Sequence, residues 1–474
     1  MVAKALTIRN LTSTPIELKL VERFRPQEKK DGIEGFGALA KNFTRKVAEA
    51  ATNVTRSSNT AEPLPDDAKP FAHQDVNVHI DPFATSRTEI KAFENDEKEP
   101  LRLVFEVQGE RHQITVPVPT VESAEMKALS DNPRHKLTGV FVTQESHLAI
   151  YSSANLHAWM RELKDEVPLS ALSIPGTHNS ATCHIAPPSV RCQAVSPKEQ
   201  LENGVRFFDV RLQPQYPDDA SKDELILVHG AFPISLSGNK YFKELIADVE
   251  DFLNRNPSET LIISLKREGT GNATDEQLSR TIRDHYAKPD SRWWTEPRIP
   301  NLGEARGKIV LIRRYNIGDR LKQAHEGRGF GIDAGGWADN TPNSTCPSGL
   351  ICVQDFYEVL ETNNIEKKIQ YVSEHTARAG AVRYPFGGDP NQKHPFFINF
   401  LSASNFWKTQ TWPEKIAAKL NPAIVKYICM QHCNHPDGDW GTGILVTDWV
   451  GLEGDWDLAR CIVGMNAKLK LRQN

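Results

Sequence analysis

The stretch Leu172-Ser173-Ile174-Pro175-Gly176-Thr177-His178-Asn179-Ser180 decides how the chain is read. A short apolar run stops at Pro-Gly, and Thr, His, Asn and Ser follow at once. That pattern is a buried strand ending at a turn, with a histidine delivered just past its end. Histidine changes charge near neutral pH more readily than other side chains, so the position suits a proton-transfer group. A strand-end histidine is equally an ordinary structural or solvated residue, and the rest of the chain decides between the two.

Toward the C-terminus the same style recurs. Apolar runs at 172–178, 206–212, 225–230, 261–268, 308–315, 351–357, 396–404 and 443–450 read as eight strands, most of them ending in polar residues. Helical patterns at 241–254, stopped by Asn256-Pro257, and at 276–286 lie between them. Strands alternating with crossovers predict an α/β domain over 153–474, a distorted (β/α)8 TIM-like barrel. In such a barrel, chemistry sits where the strands end. The ends here carry His178, Asp209, Arg211, His229, Lys266, Glu268, Arg313, Arg314, Gln354, Asp355, Tyr357, Asn399, Ser402 and Asp448. Two histidines among cations and carboxylates suit a phosphate ester. Arginine grips phosphate oxygens in a bidentate fork and stabilises charge developing on them. Two histidines can serve as base and acid on opposite sides of the phosphorus.

Residues 1–152 read differently. Short alternating segments at 5–8, 16–21, 76–80, 102–107, 112–118 and 139–150, with a hairpin turn at Gln108-Gly109, predict a mainly-β, sandwich-like domain. Near 36–56, Phe36, Leu39, Phe43, Val47, Ala50 and Val54 recur at helical spacing, with Lys41, Arg45, Lys46 and Arg56 on the other faces. Such a basic amphipathic helix either lies on an anionic membrane or covers an open sheet.

Bulk properties narrow the function. A net charge of -4 excludes a general nucleic-acid binder. No run approaches a membrane span and no signal peptide is evident, so a cytoplasmic protein, peripheral to membranes, is expected. Seven cysteines are few and odd in number, which makes reduced thiols the default, although Cys183/Cys192 and Cys346/Cys352 are close enough in sequence to pair. Cys429, His432, Cys433 and His435 have a zinc-like composition at a spacing too tight for an ordinary site, so no resident metal is expected. Trp407 and Trp412, after the seventh strand, are placed to touch a lipid interface or to fold under the rim.

The motifs Ser173-Ile174-Pro175-Gly176-Thr177-His178, Phe208-Asp209-Val210-Arg211, Val228-His229-Gly230, Ser264-Leu265-Lys266, Arg314-Tyr315, Gln354-Asp355-Phe356-Tyr357, Ile398-Asn399-Phe400 and Thr447-Asp448 occur in order. Together they resemble the X-type catalytic domain of phosphatidylinositol-specific phospholipase C, and the bacterial metal-independent type in particular. The resemblance implies a phosphoric diester hydrolase, a lyase by its product. The inositol 2-hydroxyl attacks the adjacent phosphate of phosphatidylinositol, or of a glycosylated relative. Inositol 1,2-cyclic phosphate and diacylglycerol result. It implies His178 as general base, His229 as general acid, and Arg211 on the phosphate where calcium sits in eukaryotic relatives. Asp209 stands with Arg211 at that position, and Asp448 orients His178. Lys266, Arg314, Asp355 and Tyr357 are implied to hold the inositol head group. No cofactor is implied, and the Arg211 guanidinium disfavours calcium.

One residue departs from the pattern. The metal-independent enzymes commonly carry an aspartate after the first histidine, and here it is Asn179. Two alternatives therefore stay open: a calcium-dependent variant of the same reaction, and a catalytically weak inositol-lipid-binding protein. A glycerophosphodiesterase-like barrel would want a carboxylate metal cluster that the sequence does not offer. The partners expected are the inositol head group and a phosphatidylinositol-containing membrane. Oligomeric state is left open.

Overall fold

A computed structural model describes residues 4–25, 64–65, 67–92, 99–118, 121–152, 155–289, 291–359, 363–386, 394–405, 407–432 and 437–472. The basic helix expected near 36–56 lies outside them. The chain divides into two compact units, 1–153 and 154–474.

The first unit is built of two five-stranded sheets. One runs in the order 85–91, 5–11, 147–152, 137–142, 123–125, and the other 72–80, 16–23, 101–107, 110–116, 127–128. Leu6, Ile8 and Phe141 of the first and Leu18, Leu103 and Phe105 of the second share one core. The turn expected at Gln108-Gly109 is present, with both residues at positive φ (46° and 83°). Two positive φ values in succession match the twist of the flanking strands. The run expected as one strand at 139–150 is a hairpin, because Thr143–Glu145 form a 3-10 turn closed by Ser146 at φ 49°.

The second unit is organised by a parallel sheet. The strands that build the site, out of twelve in the sheet, are β1 (Ile174–Thr177), β2 (Phe207–Pro214), β3 (Leu225–His229), β4 (Leu261–Arg267), β5 (Ile309–Arg313), β6 (Ile332–Asp333), β7 (Ile351–Gln354), β8 (Phe396–Phe400) and β9 (Ile444–Thr447). Eight of these run parallel in the order β6-β5-β4-β2-β1-β9-β8-β7. Among the described residues no ladder joins β6 to β7, so the pairing does not close.

Two expectations change here. The run at 225–230 is not a parallel strand: β3 lies antiparallel on β2, with Leu212 opposite Leu227. The link 215–224 is shorter than the roughly dozen residues that a parallel crossover needs. The eighth parallel place belongs instead to β6, two residues flanked by Gly329, Gly331, Gly335 and Gly336, too short to register as an apolar run.

The strands are buried on both faces, and alternate residues feed two cores. Ile174, Phe207, Ile262, Val310, Val353 and Ile444 share one. Phe208, Ile263 and Leu311 share the other with Leu245, Val249 and Phe252 of the helix Phe242–Arg255. A side-chain period of two then sets the polar residues. His178 follows Ile174 and Gly176, Asp209 and Arg211 follow Phe207, Lys266 follows Ile262 and Ser264, Asp355 follows Val353, and Asp448 follows Val446. Each leaves its strand end on the face of the first core. Close packing makes this possible at Gly176, where an added Cβ would stand 3.0 Å from the Phe207 ring and 3.3 Å from Ile444.

Candidate active site

His178 leaves β1 with its backbone N–H on the Thr447 carbonyl (2.9 Å) and its own carbonyl accepting from Gln193 Nε2 (2.6 Å). The backbone is thus fixed on both sides. Its ring donates from Nδ1 to Asp448 Oδ1 at 2.9 Å, and Nε2 stands 4.0 Å from Asp209 Oδ2. The carboxylate selects the tautomer and leaves Nε2 to exchange a proton. The next residue, Asn179, turns the chain through the left-handed region (φ 43°), which asparagine tolerates better than most residues. Its N–H donates to Asp209 Oδ2 (3.2 Å), while its side-chain Nδ2 is buried with no partner among the described residues.

His229 arrives on the β3 hairpin rather than on a parallel strand. Its Nδ1 donates to the Val190 carbonyl at 2.7 Å. The two imidazoles stand edge to face, 5.7 Å between centroids. Burial, with the positive charges of Arg211 and His178 added, holds His229 down to about 4. At neutral pH it is therefore uncharged in the free protein.

Arg211 bridges two carboxylates, donating to Asp209 Oδ2 (3.1 Å) and to Glu268 Oε1 (3.0 Å). Burial disfavours the Asp209 carboxylate, yet Arg211, His178 and Arg314 outweigh it and hold Asp209 well below its usual range. Glu268 is likewise resisted by burial, then drawn down to about 2 by Arg211 and Lys266. It also accepts from Lys266 Nζ (2.8 Å) and the Gly230 N–H (2.7 Å). One carboxylate thereby ties the β2 arginine, the β4 lysine and the backbone beside His229 together.

The far wall carries the remaining expected residues. Arg314 lies 3.9 Å over the Trp337 ring, and its guanidinium reaches toward Asp209 (3.6 Å) and Asp355 (3.8 Å). Trp337 Nε1 donates to Asp355 Oδ2 at 3.0 Å. Tyr357 donates its hydroxyl to Asp339 (2.8 Å), and burial with that bond pushes the phenol up to about 12.

His178, Arg211, His229, Lys266, Arg314, Asp355, Tyr357 and Asp448 line one open cavity of about 590 Å³. Asp209 and Asn179 lie buried beneath it. The strand-end residue Arg313 instead donates to the Phe330 and Tyr315 carbonyls. Trp407 and Trp412 are outside the cavity lining: Trp407 is 87% exposed, while Trp412 is half-buried ahead of the helix Pro413–Met430. Cys183, Cys192, Cys346 and Cys352 are free thiols. Cys429 lies 3.8 Å from Cys461, and Cys433 and His435 lie outside the described residues.

Three contributors had little or no sequence signal. Trp337 and Asp339 sit on the glycine-rich segment after β6, a strand that periodicity does not reveal. Lys368, in the helix Asn363–Ala381, is fully buried and donates to Gln354 Oε1 (3.1 Å) and the Phe356 carbonyl (2.6 Å), the neighbours of Asp355 on either side. Its charge suggests a surface residue, although it stands three residues after Ile365 and four before Val372, on the buried face of that helix. The arrangement as a whole can place an anion beside Arg211 and move two protons across it.

The profile of the phosphatidylinositol-specific phospholipase C X domain matches residues 166–315. A 1-phosphatidylinositol phosphodiesterase of Listeria monocytogenes is 28% identical over 309 residues, 63% of this chain and 83% of that protein. Its namesake from Staphylococcus aureus is 28% identical over 324 residues, 65% of this chain and 92% of the relative. Among solved structures, a double mutant of the phosphatidylinositol-specific phospholipase C from S. aureus superposes with a TM-score of 0.52 at 25% identity, covering 66% of this chain and 97% of the other.

Proposed function

We propose that this chain, whose residues 166–315 form an X domain of the phosphatidylinositol-specific phospholipase C family, cleaves phosphatidylinositol to diacylglycerol and inositol 1,2-cyclic phosphate. One observation carries the reading: both imidazoles and the Arg211 guanidinium line one cavity, with His178 hydrogen-bonded to Asp448 and His229 held neutral in the free protein. His178 Nε2 takes the proton of the inositol 2-hydroxyl. That oxygen forms a bond to phosphorus, the bond from phosphorus to the glycerol oxygen breaks, and His229, which takes up a proton from water at Nε2 once the phosphate anion lies beside it, gives that proton to the departing oxygen. Asp448 stabilises the imidazolium of His178, as a carboxylate does for a triad histidine. An internal nucleophile already in place accounts for a cyclic product without a captured water. Lys266, Arg314 and Asp355 bind inositol hydroxyls, and Tyr357 closes the ring's far side.

The reaction needs no calcium in this reading. Calcium takes six to eight oxygen ligands. Asp209 and Glu268, the carboxylates nearest the position, already accept from Arg211, whose charge occupies the place of the ion. Asn179 favours a second reading, a weakly active inositol-lipid-binding protein, because no carboxylate stands there to charge His229.

We read the eight-stranded parallel ladder as a distorted (β/α)8 TIM-like barrel, which the likeness to the S. aureus structure supports. The work surface is a phosphatidylinositol-containing membrane, approached from the loops after the strand ends. Trp407 (87% exposed), Ile185 (79%) and Leu236 (69%) lie on those loops, and the Leu236 N–H on the Ile185 carbonyl (2.9 Å) joins two of them. Among the described residues no helix is long and apolar enough to cross a membrane. We place the protein in a reducing, cytoplasmic setting, with which the thiols of Cys183, Cys192, Cys346 and Cys352 are compatible.

The test is product analysis. Phosphatidylinositol vesicles and the protein, incubated with chelator, are followed by phosphorus NMR. The cyclic phosphate is expected at an unchanged rate with chelator present. No product with or without calcium would refute the enzyme, and product only with calcium would refute the metal-free route.

A further inference from the structure

Cys192 is drawn into the space between the two histidines from the loop after β1. It is fully buried, and its sulfur lies 3.7 Å from His229 Nδ1. The Val190 carbonyl accepts from both groups, at 2.7 Å from His229 Nδ1 and 3.5 Å from Cys192 Sγ, so thiol and imidazole converge on one point. One ligand atom each from His178, Cys192 and His229 lies within 4.8 Å of the others. The proposed reaction uses both histidines and has no task for the thiol.

We propose that His178, Cys192 and His229 form a binding site for a soft divalent cation, zinc by its chemistry, whose occupancy arrests the reaction. This rests on the function proposed above for the arrest, though not for the binding. Two imidazoles and a thiolate are a donor set that zinc favours, with a fourth position left for water. Bonds of about 2.0 to 2.3 Å in a tetrahedron place ligand atoms roughly 3.3 to 3.8 Å apart, so closure of at most about 1.5 Å on the widest pair suffices. The sulfur and His229 Nδ1 already stand at that spacing.

The feature that excludes calcium does not exclude this ion. Calcium needs the oxygens that Arg211 holds, whereas zinc uses nitrogen and sulfur. Arg211 is itself paired to Asp209 and Glu268, which offsets its charge toward a second cation. On binding, His229 gives up its hydrogen bond to Val190 and moves its proton from Nδ1 to Nε2 by exchange with water, both imidazoles give a lone pair to the metal, the Cys192 S–H bond breaks, a metal–sulfur bond forms, and the thiol proton passes to water. The base nitrogen of His178 is then occupied by the metal, and the reaction stops.

Cobalt(II) tests the site without relying on turnover. Added to the intact, metal-free chain, it is expected to give a thiolate-to-cobalt charge-transfer band that zinc abolishes and that Cys192→Ser lacks. Zinc is then expected to slow phosphatidylinositol cleavage at least about tenfold, reversibly with chelator, and Cys192→Ser to need at least about tenfold more zinc for the same effect. Absence of the band in the unaltered chain would overturn the site, even if the variant fails to fold. So would equal zinc inhibition of the unaltered chain and a folded Cys192→Ser. A metal-free chain that cleaves no phosphatidylinositol would refute the proposed function instead, with the cobalt spectrum still reporting on the site.

Discussion

The imidazoles of His178 and His229 stand at 87° to one another with their centroids 5.7 Å apart, and each is held through Nδ1 by a different acceptor. His178 has a carboxylate, Asp448, and His229 has only a carbonyl, that of Val190. A carboxylate stabilises the protonated ring and a neutral carbonyl does so much less. The two rings are thus unequally held, and in the proposed reaction it is His229 that needs help to hold a proton.

That help is expected from the substrate. Burial, Arg211 and His178 hold His229 near 4 in the free protein. A phosphodiester anion beside it opposes those positive charges and raises its affinity for a proton. The acid's apparent pKa in the kcat profile, which reports the complex, should therefore lie above that in kcat/KM, which reports the free enzyme. Steady-state rates from pH 4 to 8 decide it. Coincident values near 4 in both profiles would mean that the phosphate does not charge His229.

Asn179→Asp should raise kcat. The new carboxylate follows His178 directly, above Asp209, where a negative charge favours the protonated form of His229. An increase of roughly tenfold at neutral pH is expected, a modest share of what general acid catalysis supplies. An unchanged or lower kcat would leave Asn179 as a turn residue selected for its left-handed backbone.

Glu268→Gln should damage binding and chemistry together. The amide keeps the shape but removes the charge shared by Arg211 and Lys266 and lowers the proton affinity of His229, which Glu268 supports. A fall in kcat/KM of about a hundredfold, with about 3 kcal/mol lost in denaturant titrations, is the expected result. A change in stability with kcat/KM intact would confine Glu268 to a structural role.

Lys368 should give stability a pH dependence of its own. Burial pushes the amine down to about 7, with Asp355 and Asp448 only partly opposing it. In the unfolded chain a lysine titrates near 10.4, so between about 7 and 10.4 the unfolded state binds more protons. Stability from this group therefore rises with pH across that window and is lost as pH falls through 7. Lys368→Met should flatten the slope and, by releasing Gln354 and the Phe356 carbonyl, raise KM more than it lowers kcat. Parallel stability curves for the two proteins would show that the amine is not the source.

Much of this was legible in the sequence because it rests on a period of two. An apolar run that ends in one polar residue tells both that a strand is buried and which residue leaves it at the rim, as at His178, Asp209, Lys266 and Asp448. What was not legible came from elements that lack a run. The strand Ile332–Asp333 has two residues, so Trp337 and Asp339 beyond it had no strand end to be assigned to. An apolar run has no sense of parallel or antiparallel, and at 225–230 only the short link before it carries the direction. Cys192 and Lys368 reach the site from a loop and a helix, and their places depend on tertiary packing alone.

The most direct measurement compares leaving groups. A general acid matters when the departing oxygen is a poor leaving group, as in phosphatidylinositol, and hardly at all for a nitrophenyl ester of inositol phosphate. His178→Ala is expected to lose about a thousandfold or more in kcat on both substrates, because both need the 2-hydroxyl deprotonated. His229→Ala is expected to lose as much on phosphatidylinositol but no more than about tenfold on the nitrophenyl ester. Equal losses on both substrates in His229→Ala would contradict the assignment of His229 as the acid, and with it the two-histidine reaction proposed for this site.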